Sequence, residues 1–199
     1  MSLLIRKVKW GKIMLNTKYL VDSSLLIRRE EFEEYEIDAF PTHWYNFDRL
    51  VECGVISSLN EVRDEITLKG YDYFNNWVKQ YDFLFKNLDK SSLNYLNEVL
   101  SYSFPNWIKK LESEDKLADA YLIAYAKVHN ITLVTQEVYN LTHNTKEKNY
   151  KIPTICELIG GKCVMKSCDT NYKYKNFDFE CICFNELIKR EHLYKPNLF

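Results

Sequence analysis

The feature that most restricts the fold of this chain is a regular alternation of short apolar runs with longer segments of helical period. "KYLVD" (18–22) is apolar on successive positions, as expected of a strand buried on both faces. "VISS" (55–58), "ITLVT" (131–135) and "KCVMKS" (162–167) read in the same way. Helical segments follow them. "SSLLIRREEFEEY" (23–35) can be capped by Ser23 or Ser24, and "FPTHWYNFDRLVECG" (40–54) has Pro41 in its first turn and Gly54 at its end. Phe40, Trp44, Phe47, Leu50 and Val51 share one face of that second segment. "LNEVRDEITLKG" (59–70) ends at Gly70, and "KLADAYLIAYAKVHN" (116–130) places Leu117, Ala118, Leu122, Ala126 and Val128 inward. "IPTICELIGG" (152–161) is a short helix closed by glycines, and "FNELIKREH" (184–192) is the last helix. Such alternation predicts an α/β fold with a mostly parallel sheet and helices on both faces.

Around this pattern, residues 1–17 read as an N-terminal arm and 18–199 as one domain. Residues 71–113 are polar, aromatic and helical in period, and read as a helical insertion. Residues 166–183 read as an extra hairpin or loop, although "ECICFNELI" competes with "KCVMKS" for the last strand. A chain of 199 residues that is 46% hydrophobic and 15% aromatic can bury a substantial core. No apolar run is long enough to cross a membrane, and Lys and Arg interrupt the first fifteen residues where a secretory signal would be apolar. A cytoplasmic location is expected. The six cysteines then read as reduced, small buried residues, because their spacing forms no pair of C-x2-C motifs. A formal charge of −1 gives no global attraction to nucleic acid, so any such binding needs a local basic patch.

Ligands of parallel sheets bind beyond the carboxyl ends of the strands. Asp22 ends "KYLVD", and Glu137 lies two residues past Thr135 at the end of "ITLVT". Asp119 opens the helix before that strand among apolar neighbours, in "LADAYLIA". Glu61, Asp64 and Glu65 lie on the helix after the second strand, and Glu61 and Glu65 are four apart on one face. Carboxylates beside a buried face are costly unless compensated, and Mg2+ or Mn2+ compensates several oxygens at once. Taken singly, Asp22 also suits a helix N-cap and Asp119 a first helical turn.

"YLVDSSLLI", "VISSLNEVRDEI", "LADAYLIAYAKVHNITLVTQE" and "KIPTICELIGGKCV" together resemble the PIN-domain nucleases, closest to a bacterial PIN-like branch filed as a domain of unknown function. "FPTHWYNF" also looks like that branch. The resemblance covers roughly residues 18–165. It implies a PIN-like three-layer α/β/α fold and a metal-dependent endoribonuclease using Mg2+ or Mn2+. It also implies the toxin of a toxin–antitoxin pair (VapC type), with RNA as substrate, an antitoxin as partner and a homodimer as assembly. The acidic quartet would be Asp22, Glu65, Asp119 and Glu137, as both catalytic and metal-binding residues, with Ser24 and Thr135 orienting them. Glu65 is preferred to Glu61 because the family pattern places the acid just before an apolar Ile or Leu. The fourth acid is usually Asp and here is Glu, in "TQE", which bears on a second ion site.

Substrate grip would come from Arg28, Arg29, Lys146 and Lys148, and from Tyr172, Tyr174 and Phe177. His43, His129, His143 and His192 have no assigned role. The alternative reading is a catalytically inactive PIN-like protein-binding module. A phosphatase with an aspartate nucleophile commonly has a second Asp two residues on, where this chain has Ser24. A Rossmann-type nucleotide site would need a Gly-rich turn after the first strand, which this chain lacks.

Overall fold

The computed structural model describes residues 16–29, 37–68, 72–165 and 177–196. Six parallel strands form the central sheet in the order β3-β2-β1-β4-β6-β5. They are β1 (Tyr19–Val21), β2 (Ile56–Leu59), β3 (Phe85–Lys86), β4 (Thr132–Val134), β5 (Lys162–Val164) and β6 (Glu180–Ile182). The helices are α1 (Ser23–Ile27), α2 (Pro41–Glu52), α3 (Asn60–Leu68), α4 (Asp72–Gln80), α5 (Lys90–Tyr95), α6 (Ser101–Ser103), α7 (Pro105–Ser113), α8 (Ala118–His129), α9 (Ile152–Leu158) and α10 (Phe184–Arg190). A π turn over Leu96–Leu100 joins α5 to α6. Helices flank the sheet, giving a three-layer α/β/α architecture. Among the described residues no helix is long and apolar enough to cross a membrane.

Burial explains why the strands carry no alternating pattern. Every residue of β1 and β2 is buried, so apolar or small side chains are needed on both faces. Ser58 is tolerated inside because its hydroxyl donates to Val21 O at 2.7 Å. The chain runs outward from β1 through β2 to β3, then returns to the other side of β1 as β4. Strand order therefore reverses between β1 and β4, and a crevice at their carboxyl ends is the favoured place for a ligand. The backbone N–H of Asp22 still donates to Val134 O at 3.0 Å, so this aspartate is held by the sheet it terminates.

Several expectations are corrected. The helix expected over 23–35 stops at Ile27 and turns at Arg28 and Arg29; residues 30–36 lie outside the described set. Neither Ser23 nor Ser24 caps it, since both lie inside α1. The segment 71–113 is not purely helical: β3 within it extends the sheet beside β2. A two-residue strand is too short to show a period, so "DFLF" looked like more helix. The stretch 166–183 is likewise more than a loop. Its end forms β6, seated between β4 and β5, so "ECI" and "KCV" both form strands. Residues 1–15, 69–71 (with Gly70) and 166–176 (with Tyr172 and Tyr174) lie outside the described set. Phe40 is exposed at the start of α2, and Val128 is exposed near the end of α8.

The core beneath α2 and α10 is aromatic: Trp44 stacks on Phe184 at 5.0 Å and meets Phe47 edge-on at 5.3 Å. Cys156, Cys163 and Cys181 are buried free thiols, the last two paired across β5 and β6. After α9 the chain reverses at Gly160, with φ +88°. Gly161 then allows a close approach, because a Cβ there would lie 2.7 Å from the Phe179 ring and 2.8 Å from Cys156 O. Gly161→Ala is expected to cost about 1–3 kcal/mol through overpacking, read as a lower midpoint in urea unfolding. An unchanged midpoint would mean that both the Phe179 ring and the turn carrying Cys156 O yield freely.

Candidate active site

A cleft of about 280 Å3 opens at the carboxyl ends of β1 and β4. Asp22, Ser23, Ser24, Glu65, Asp119 and Glu137 line it, together with Trp107, Lys110, Glu114 and Lys116 from α7 and its following turn, and Lys148 to Lys151 from the loop before α9. The two remote segments are tied together. Glu147 Oε1 accepts from the backbone N–H groups of Asn106 (2.8 Å) and Trp107 (3.2 Å), capping the start of α7. The Trp107 indole donates to Tyr150 O at 3.0 Å.

Asp22 is buried at the N-cap position of α1, yet its side chain makes no capping bond. Its Oδ2 accepts from Ser24 Oγ at 2.5 Å and Thr135 Oγ1 at 2.8 Å. Those hydroxyls in turn accept from the backbone N–H groups of Gln136 and Glu137, both at 3.0 Å, which orients them. The Ser23 hydroxyl lies between Asp22 Oδ1 (3.2 Å) and Glu65 Oε2 (3.0 Å). Burial, and then the Glu137 charge, push the Asp22 carboxyl up to about 6; the Ser24 and Thr135 bonds oppose the shift, and Glu65 adds to it. Asp119, in the first turn of α8, is raised well above the usual carboxylate range by burial, then by Asp22, Glu137 and Glu65.

All four sequence-selected acids thus act on one another. Of the two competing glutamates, Glu65 lines the cleft and Glu61, one turn earlier, does not. Glu137 is engaged differently from the others: Oε1 accepts from Lys151 Nζ at 2.7 Å, and Oε2 from the backbone N–H of Ile152 at 2.9 Å. Burial works against the Lys151 ammonium, but the bond to Glu137 and the charges of Glu137, Asp119 and Asp22 hold its pKa above the usual lysine value.

Lys151, Lys110 and Lys116 were not identifiable from sequence. The only local sign was a lysine at the mouth of a short Ile-Pro helix, and lysines at such places are common. Of the basic and aromatic residues picked for substrate grip, Lys148 lines the cleft. Arg29 does not serve that role: it is buried, with both terminal nitrogens on Asp48 at 2.7 and 3.0 Å. Arg28, Lys146 and Phe177 do not line the cleft, nor do any of the four histidines.

An all-carboxylate donor set in a cleft of excess negative charge suits a hard divalent cation such as Mg2+ or Mn2+. Among the described residues no three acidic, histidine or cysteine groups are already drawn around one point. The hydroxyl bonds on Asp22 and the Lys151 bond on Glu137 engage oxygens that an ion would otherwise take.

No curated protein and no solved structure matches the chain. One family model, described as Domain of unknown function (DUF4411), matches residues 19–168. The matched region starts at β1 and includes Asp22, Glu65, Asp119 and Glu137, and over that span, most of its 199 residues, the chain belongs to the DUF4411 family.

Proposed function

We propose that this chain is a PIN-like, metal-dependent endoribonuclease acting in the cleft between β1 and β4. The observation that carries the reading is the convergence of four acids from separate elements at the sheet's switch point, two of them with carboxyls pushed upward by burial and mutual charge. Asp22, Glu65 and Asp119 would hold Mg2+ or Mn2+, with Glu137 as the fourth acid. When bound, the ion would polarise a phosphoryl oxygen and lower the pKa of the attacking water. Ser24 and Thr135 fix the direction of the Asp22 carboxylate through their own backbone bonds. Lys148 puts positive charge along a cleft whose floor is negative, joined by Lys110 and Lys116, which share Glu114 at 3.7 and 3.1 Å, and this supports gripping a phosphate backbone despite the net charge of −1. The family resemblance supplies the setting of a toxin restrained by an antitoxin that would cover this cleft.

One observation favours the second reading, an inactive protein-binding module: both oxygens of Glu137 already serve a structural role at the start of α9. Cleavage of a mixed RNA pool with Mn2+ separates the two. Asp22→Asn and Asp119→Asn are each expected to reduce cleavage by roughly 100-fold or more, beyond the 10–100-fold typical of residues standing behind a ligand. EDTA should stop the wild type. If wild-type protein cuts no RNA and binds no Mn2+, the nuclease reading fails and the binding module takes its place.

A further inference from the structure

Lys151 stands beside Glu137, the acid that the proposed reading leaves for a second cation. Its ammonium is 2.7 Å from Glu137 Oε1, and it is near enough to Asp119 and Asp22 for their charges to act on it. Its backbone is held, while the side chain is half exposed and reaches Glu137 as an ion pair. Its backbone N–H donates to Asn140 Oδ1 at 3.2 Å, the same oxygen accepts from Thr154 Oγ1 at 2.7 Å, and Asn140 Nδ2 donates to Asn149 O at 2.8 Å. Glu137 is fixed from its other oxygen by the Ile152 N–H. A divalent ion placed on Glu137 would therefore meet a positive charge at contact range and would have to displace it.

We infer that the cleft takes a single divalent cation, held by Asp22, Glu65 and Asp119, and that the Lys151 ammonium occupies the place of a second ion beside Glu137. This rests on the metal-dependent reading proposed above. Two consequences follow for the chain's own residues. Glu137 serves to position Lys151 rather than to bind the ion. Lys151 supplies beside Glu137 the positive charge that a second ion would otherwise bring to a substrate phosphate.

The test is the number of Mn2+ ions bound per chain, measured by the loss of the free-ion electron paramagnetic resonance signal at pH 7.5. Wild type and Lys151→Arg are expected to bind one ion. Lys151→Gln, which frees Glu137 from its cation, is expected to bind two. Glu137→Gln should still bind one ion, because Asp22, Glu65 and Asp119 remain, with a lower affinity from the lost negative charge and the unpaired Lys151. Two ions on the wild type, one ion on a folded Lys151→Gln, or no ion on a folded Glu137→Gln would each overturn the inference while leaving a metal site on the wild type. No ion on any of the four chains would overturn the metal-dependent reading and this inference with it.

Discussion

Arg29→Ala is expected to destabilise the protein by about 3–5 kcal/mol, the range for breaking one side of a buried ion pair. The Arg29 side chain is 2% exposed, and its guanidinium lies 5.1 Å from the ring centroids of both Trp44 and Trp77. Its two terminal nitrogens bind Asp48, and the Trp77 indole donates to the same carboxylate at 3.0 Å. Removal would leave Asp48 without its main partner and open a gap between two tryptophans. The effect should extend to the cleft, because Arg29 anchors the end of α1, the helix that carries Ser23 and Ser24. Urea unfolding measures the loss. A double variant, Arg29→Met with Asp48→Asn, should be less destabilised than Arg29→Ala, since it removes both charges and keeps the volume. If Arg29→Ala unfolds within about 0.5 kcal/mol of wild type, as an ordinary surface substitution would, the anchor is not structural.

The metal-free protein is expected to lose stability as pH rises from about 4 to about 6. Asp22 has a folded-state pKa of about 6 against an ordinary value of 3.8, so the folded state binds its proton more tightly than the unfolded chain does. Stability from this group is therefore greatest below 3.8, falls through the interval, and is fully lost above about 6. The full interval corresponds to roughly 3 kcal/mol, and Asp119 acts in the same direction. Glu180 and Glu191 pull the other way: both are partly buried, yet ion pairs with Arg190 and with Lys18 hold them below the usual range. The informative quantity is thus the difference between wild type and Asp22→Asn across pH 4 to 7. Asp22→Asn should be the more stable chain at pH 7 without metal, with the gap closing toward pH 4. Saturating Mn2+ at pH 7.5 should recover the wild type by about 2.7 kcal/mol at a concentration 100 times the dissociation constant. Parallel stability curves for the two chains would show that Asp22 carries no such strain.

The legible parts of the fold share one property: their signal is local. "KYLVD", "VISS" and "ITLVT" are strands because both faces are buried, and that requirement shows in three or four consecutive residues. An acid placed just past such a run is equally visible, which is why Asp22 and Glu137 stood out. β3 and β6 escaped for the opposite reason. Two or three residues carry no period, and their strand character comes from a neighbour already in the sheet.

By itself, the sequence determined the strand–helix alternation, hence the parallel sheet, and it determined which acids end its strands. Tertiary structure alone decided how those acids are used. Thr135 bonds Asp22 across 113 positions of chain, Glu147 reaches back 41 positions to cap α7, and Lys151 reaches Glu137 from 14 positions away. Contacts of this kind depend on how β1, β4 and α7 are brought together, so no local pattern can encode them. Between Glu61 and Glu65, one helical turn apart, helical period made no choice; the family resemblance preferred Glu65, and the packing of α3 beside α1 and α8 is what brings Glu65 rather than Glu61 to the cleft.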